Sequence, residues 1–184
     1  MPHIALSNSL PGITGLLAHR PDTAEPLGHL ADVLLRTASQ LAPGERELIA
    51  AYVSELNQTP FCAASHGAFA AAQLPDGENV VKATLTDPDT AAVTERIRSL
   101  LRIAAEVVRT PRPLSDEAVA AARTAGATDD DIHDTVLIAA AFCMFNRYVS
   151  ALATELPADP AYYAETAQRV LTGGYRAPRT TAAS

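Results

Sequence analysis

Thr128-Asp129-Asp130-Asp131, followed after one turn by Val136-Leu137-Ile138-Ala139-Ala140-Ala141-Phe142, is the stretch on which the fold turns. A hydroxyl and three carboxylates stand where a helix N-terminus offers unpaired N–H groups and the positive end of its dipole. The helix behind them, expected to run to about Thr154, is the most apolar in the chain. Being apolar nearly all round, it is expected as a central core helix or an oligomer contact.

Outward from this helix the same pattern repeats. Alanine is abundant, Trp is absent and aromatic residues are 5% of the chain. Alanine is the strongest helix former, whereas strands favour the β-branched and aromatic residues that are scarce here. Leu27, Leu30, Val33, Leu34 and Leu41 mark one stripe of a helix over 26–40. Leu48, Ile49, Tyr52, Val53 and Leu56 mark a second from Pro43, ended by Asn57-Gln58. Thr59-Pro60 opens a third, with a hydroxyl at the cap and proline at the first helical position. Further helices are expected over 78–85, 89–109, 116–125 and from Asp159-Pro160. Residues 1–24 read as an extended arm, because Leu10-Pro11-Gly12-Ile13 and Arg20-Pro21-Asp22 are turn signals without periodicity. The expected organisation is an arm at 1–24, one all-α helical-bundle domain at 25–172 and a flexible tail at 173–184.

The 184 residues carry 14 basic and 21 acidic side chains, a net charge of -7, so a non-specific nucleic-acid clamp lacks its electrostatic basis. With 48% hydrophobic and 19% charged residues, and a mean hydropathy of +0.06, the composition is that of a packed globular interior. No apolar run approaches the roughly 20 residues of a membrane span. No secretory signal is evident, and two cysteines do not make a disulfide scaffold, so a reducing, cytoplasmic location is expected.

One constellation carries chemistry. Glu47 lies on the second helix, and Cys62 and His66 lie on the third, four apart and so on one face. Cys62 also falls in the first turn after Pro60, where the helix dipole favours a thiolate. An imidazole beside it can take the thiol proton, and a carboxylate from the preceding helix can orient that imidazole. A cysteine on an alanine-rich helix can equally be a small core residue.

At these residues the sequence becomes familiar. Gly44-Glu45-Arg46-Glu47-Leu48-Ile49-Ala50-Ala51-Tyr52-Val53-Ser54, then Asn57, then Phe61-Cys62-Ala63-Ala64-Ser65-His66-Gly67, resembles the carboxymuconolactone decarboxylase family. The likeness is to its AhpD-like alkylhydroperoxidase branch of peroxidase-related proteins. Leu10-Pro11-Gly12-Ile13, Arg20-Pro21, Phe145-Asn146-Arg147-Tyr148 and Glu155-Leu156-Pro157 extend it over about 10–160. The resemblance implies an all-helical fold, a trimer or hexamer, and a Glu…Cys-x-x-Cys-x-x-x-His site. Glu47 then matches the carboxylate, Cys62 the second, peroxide-attacking cysteine and His66 the closing histidine. The first cysteine falls on Thr59 and is missing, so a sulfenic acid on Cys62 has no neighbouring thiol to close a disulfide.

Cys143 or an external thiol could resolve such a sulfenate. Cys143, inside an apolar run, also reads as a core residue. The resemblance thus implies a thiol-dependent hydroperoxide reductase acting on a small-molecule substrate with a thiol reductant. The alternatives are a non-redox, decarboxylase-type lyase acting on a small organic acid through His66 and Glu47, or an oligomeric protein without catalysis. A Cys-x-x-x-His pair supplies only two possible metal ligands, so no metal is expected, and no phosphate loop or other cofactor motif is present. His133, among Asp130, Asp131 and Asp134, reads as a solvated helix face.

Overall fold

The computed structural model describes residues 2–176, and among them it holds nine helices and no strand. In chain order these are α1 (Gly12–His19), α2 (Pro21–Arg36), α3 (Pro43–Leu56), α4 (Pro60–Ala71) and α5 (Gly77–Thr86), then α6 (Glu95–Arg109), α7 (Asp116–Thr124), α8 (Asp129–Ala151) and α9 (Pro160–Gly173). The all-α, single-domain reading of the sequence matches this architecture.

The centre of the bundle is α3. Every residue from Arg46 to Ser54 is buried, and the helix packs against α2, α4, α5, α6 and α8. Its Leu48, Ile49 and Val53 meet Leu100, Leu101 and Ile103 of α6 and Ile138 and Phe142 of α8 in one core. The expectation for α8 is met on one side only: Ile138, Phe142 and Phe145 are buried, whereas Leu137 and Met144 are more than 40% exposed. Its start follows the sequence signal, with a Thr128–Asp131 capping box. Arg96 of α6 ties that capping carboxylate to Glu45 of α3, at 3.3 and 3.4 Å.

Two charges lie inside α3. Arg46, only 2% exposed, donates to the carbonyls of Leu34 and Thr37 at 3.1 and 2.8 Å. It thereby occupies the C-terminal end of α2, where the dipole favours a cation. Glu47, equally buried, points to the site described below.

Three segments differ from their sequence expectation. The arm at 1–24 is helical from Gly12, because Arg20-Pro21 is a helix start rather than a turn: Pro21 is the first residue of α2. The helix expected over 89–109 begins only at Glu95, where Thr94 accepts from the Ile97 N–H. The chain after α9 does not leave the surface at once, since Tyr175 is packed against the core; residues 177–184 of the expected flexible tail lie outside the described residues.

The N-terminal segment is fixed over the site by Gly12. Its φ is +56°, its N–H donates to the Glu155 carbonyl at 3.1 Å, and a Cβ there would stand 2.2 Å from the Phe61 ring. We expect Gly12→Ala to lower stability by about 1–3 kcal/mol, from left-handed backbone strain and displacement of Phe61. Urea unfolding measures it, and an unchanged midpoint would contradict this packing.

Candidate functional site

The site is built on the α3–α4 hairpin. The chain reverses through Asn57 and Gln58, the latter at φ 53°, and Pro60 starts α4. The reversal brings His66 back alongside Glu47, with His66 Nδ1 2.7 Å from Glu47 Oε2. Both side chains are nearly closed to solvent, so this is a desolvated pair. Three aromatic rings hold the imidazole: Phe142 edge-on at 4.5 Å, Phe69 edge-on at 5.2 Å and Tyr175 stacked at 6.0 Å between centroids. Among the described residues His66 Nε2 has no hydrogen-bond partner.

Tyr175 completes the cluster. Its hydroxyl donates to Glu47 Oε1 at 2.6 Å and lies 3.3 Å from His66 Nδ1. Burial, together with the adjacent Glu47 charge, holds the phenol well above its ordinary pKa, so it stays protonated as a donor.

Cys62 and His66 line one cavity of about 80 Å³, with Phe61, Phe69, Phe142 and Tyr175 among its walls. The relay expected from sequence is therefore present in part. Glu47 meets His66, but Cys62 makes no hydrogen bond to His66. The thiol is 3% exposed and packs with Phe61 and Val149 against Ile13, Tyr162 and Tyr163. Burial pushes its pKa up to about 11, while hydrogen bonding from the Asn146 side chain pulls the other way. The expected lowering by the helix N-terminus is thus overturned: desolvation of the thiolate outweighs the dipole.

Thr59 also departs from expectation. Its hydroxyl caps nothing; it pairs with Ser150 Oγ at 2.9 Å, and the residue is buried. Thr59 and Cys62 thus both face α8, toward Ser150 and Asn146, one turn apart on that helix. Asn146 donates to Ser54 Oγ at 3.0 Å and accepts from Asn57 Nδ2 at 3.0 Å, and the same Asn57 nitrogen lies 3.5 Å from Cys143 Sγ. Cys143 is half-buried and packs against the edge of the main core. His133 is 70% exposed beside Asp134, as a solvated face requires.

Sequence reasoning missed Tyr175, Asn146 as a partner of Cys62, and the aromatic box. Asn146 carries a signal, since a lone amide inside an apolar helix needs a buried partner. Tyr175 carries none locally, because it meets Glu47 across 128 positions of chain.

The site thus consists of a buried Glu–His pair and a cysteine in one pocket of a helical bundle. No family model matches the chain, and no curated protein is similar to it. Solved structures are. One is the alkylhydroperoxidase AhpD core of an uncharacterized peroxidase-related protein from Ralstonia eutropha JMP134. It has 26% identity and a TM-score of 0.75 over 86% of this chain and 82% of that one. Another is an uncharacterized peroxidase-related protein from Silicibacter sp. TM1040, at 26% identity and a TM-score of 0.74 over 90% and 81% of the two chains. The chain thus shares the all-helical AhpD-like fold of these peroxidase-related proteins and is similar to them in sequence. Among its described residues no helix is long and apolar enough to cross a membrane.

The Cys62 environment has a pH signature. In a Cys143→Ser background, alkylation of Cys62 is expected to stay slow from pH 7 to 9 and to accelerate toward pH 11. Folding stability follows the same proton. Below the ordinary thiol value of 9.0 both states keep it; between 9.0 and about 11 only the folded state does, so stability falls as pH rises through that window. Rapid alkylation at pH 7 would contradict the burial.

Proposed function

We propose that this protein is a thiol-dependent hydroperoxide reductase with Cys62 as nucleophile, His66 as base and Glu47 as its orienting partner. The observation that carries the reading is that Cys62 and His66 line one small apolar cavity while Glu47 fixes His66 Nδ1, leaving Nε2 unbonded. The peroxidase-related names of the structural neighbours support the same class.

The chemistry runs as a two-electron reduction. His66 takes the Cys62 proton, and the thiolate attacks the terminal oxygen of ROOH. The O–O bond breaks, the sulfur becomes a sulfenic acid, and the departing alkoxide takes the proton from His66 to leave as alcohol. With Thr59 in place of a second cysteine, an external thiol displaces water from the sulfenate to form a mixed disulfide. A second thiol frees Cys62 and leaves as the oxidised reductant. With its pKa raised to about 11 by burial, the resting thiol is protonated at neutral pH, so the step needs His66 as base. No nucleic acid, membrane, metal or cofactor enters this reading.

A second reading has one observation in its favour. Cys62 is protonated and bonded away from His66, while Glu47, His66 and Tyr175 form a connected cluster. That arrangement suits an acid–base lyase or isomerase in which Cys62 only lines the pocket. Consumption of an organic hydroperoxide with added thiol separates the two. The first reading expects turnover that falls to background in Cys62→Ser; turnover unaffected by Cys62→Ser, or none in the wild type, sinks it.

Because positions 59 and 62 both face α8, Thr59→Cys is expected to give a hydroperoxide-dependent disulfide with Cys62. Its loss is the Ser150 hydrogen bond, about 1 kcal/mol, rather than a helix cap. Thiol titration after one equivalent of peroxide should find both cysteines consumed; two free thiols would contradict the placement.

We further infer a homo-oligomer, for which the exposed Leu137 and Met144 on α8 offer an apolar contact. The trimer or hexamer is what the resemblance implies, and the cytoplasmic location is the expectation from cysteine usage. Light scattering is expected to return a multiple of 19.3 kDa. The monomer mass at micromolar concentration would count against it.

A further inference from the structure

We propose that Tyr175 is a positioning residue of the site: its hydroxyl holds Glu47 Oε1 so that Oε2 alone serves His66, which keeps Nε2 available as the base. The proposal rests on the reading of His66 as the base at Cys62.

Glu47 is 2% exposed, and among the described residues its carboxylate accepts from two donors only, His66 Nδ1 at 2.7 Å and the Tyr175 hydroxyl at 2.6 Å. The neighbouring cation, Arg46, donates to carbonyls at the end of α2. Tyr175 therefore supplies half of the hydrogen bonding of a buried anion. A phenol that needed only a partner could use any carbonyl; this one takes the carboxylate that orients the base.

The chain goes to some length to bring the phenol there. Arg36 of α2 donates to the Val170 and Leu171 carbonyls at 2.7 and 3.2 Å, fixing the end of α9. Gly174 follows at φ +79°, with no room for a Cβ, which would stand 2.7 Å from Asp32 Oδ1. Asp32 Oδ1 then accepts the Tyr175 N–H at 2.8 Å, and its Oδ2 faces Arg176 at 3.3 Å. These contacts define one entry angle, and it ends on Glu47.

The electrostatic consequence has a sign. A hydrogen bond to the carboxylate takes up part of its negative charge. Without the Tyr175 hydroxyl, Oε1 is a bare buried anion beside His66, and the coupled Glu47–His66 pair binds its proton more tightly. The other charged groups facing this cluster are Asp32 and Arg36 from α2, Arg176 beside the phenol, and Arg169 from α9 on the same cavity wall. None of them is changed by removing the hydroxyl.

The test is Tyr175→Phe, which keeps the ring and its stacking on His66. The first readout needs no turnover: ¹⁵N NMR titration of His66 in the folded protein. Its midpoint is expected to rise by ~0.5–1 pH unit relative to wild type. The second is the pH profile of hydroperoxide kcat/KM, whose acid limb should move up by the same amount. Activity should then fall several-fold on the acid side and return to near wild type at higher pH. Gly174→Ala, which disturbs the segment by a different route, should shift the titration in the same direction. An unshifted His66 titration in folded Tyr175→Phe overturns the proposal, whatever Gly174→Ala does. A uniform loss at every pH, with the midpoint unmoved, assigns Tyr175 a packing role and overturns it too. If the wild type reduces no hydroperoxide, the reductase reading falls, while the NMR titration still decides the role of Tyr175.

Discussion

A carboxylate buried at 2% exposure must be given donors, and the architecture around Glu47 follows from that need. Water cannot reach it, so each oxygen takes a protein donor: His66 from the next helix, Tyr175 from beyond the last one. An unpaired charge there would cost several kcal/mol. The hairpin of α3 and α4, the clamp of α2 on the end of α9, and the left-handed Gly174 all serve to deliver those two donors. The ends of the bundle are thereby tied to its middle through one side chain.

The same burial governs Cys62. A helix N-terminus offers it partial positive charge, but apolar neighbours withdraw the water that a thiolate needs, and the second effect is larger. The ring of His66, by contrast, is oriented by Glu47 and three aromatic neighbours. The pocket is small and lined mainly by rings and aliphatic groups.

Much of this was legible in the sequence, for physical reasons that differ by element. Pro43, Pro60, Ser115, Thr128 and Asp159 are start signals that act locally, and the helices begin where they stand. Glu47 and His66 could be paired because a hairpin with a short reversal leaves little choice of register. By contrast, α1 was hidden: it is eight residues long, flanked by proline and glycine, and held by contacts to Phe61 and Glu155. For α8 the sequence left a core helix or an oligomer contact open, and one side of the helix is core. Nor did the sequence show that α3 buries two charges: Arg46 donates to two carbonyls at the end of α2 while its Nε has no partner among the described residues, and Glu47 accepts from His66 and Tyr175. Tyr175 lay in a stretch read as tail because its partner is 128 positions away, and no local pattern encodes that distance.

The central claim is that Cys62 is the atom in this pocket that reacts. The most direct measurement is the mass of the chain after one equivalent of an alkyl hydroperoxide at neutral pH, with a carbon nucleophile added to trap sulfenic acid. The account predicts a single adduct, mapped to Cys62 and lost in His66→Ala. An adduct on Cys143 alone, or an unmodified Cys62 with the peroxide consumed, would contradict it.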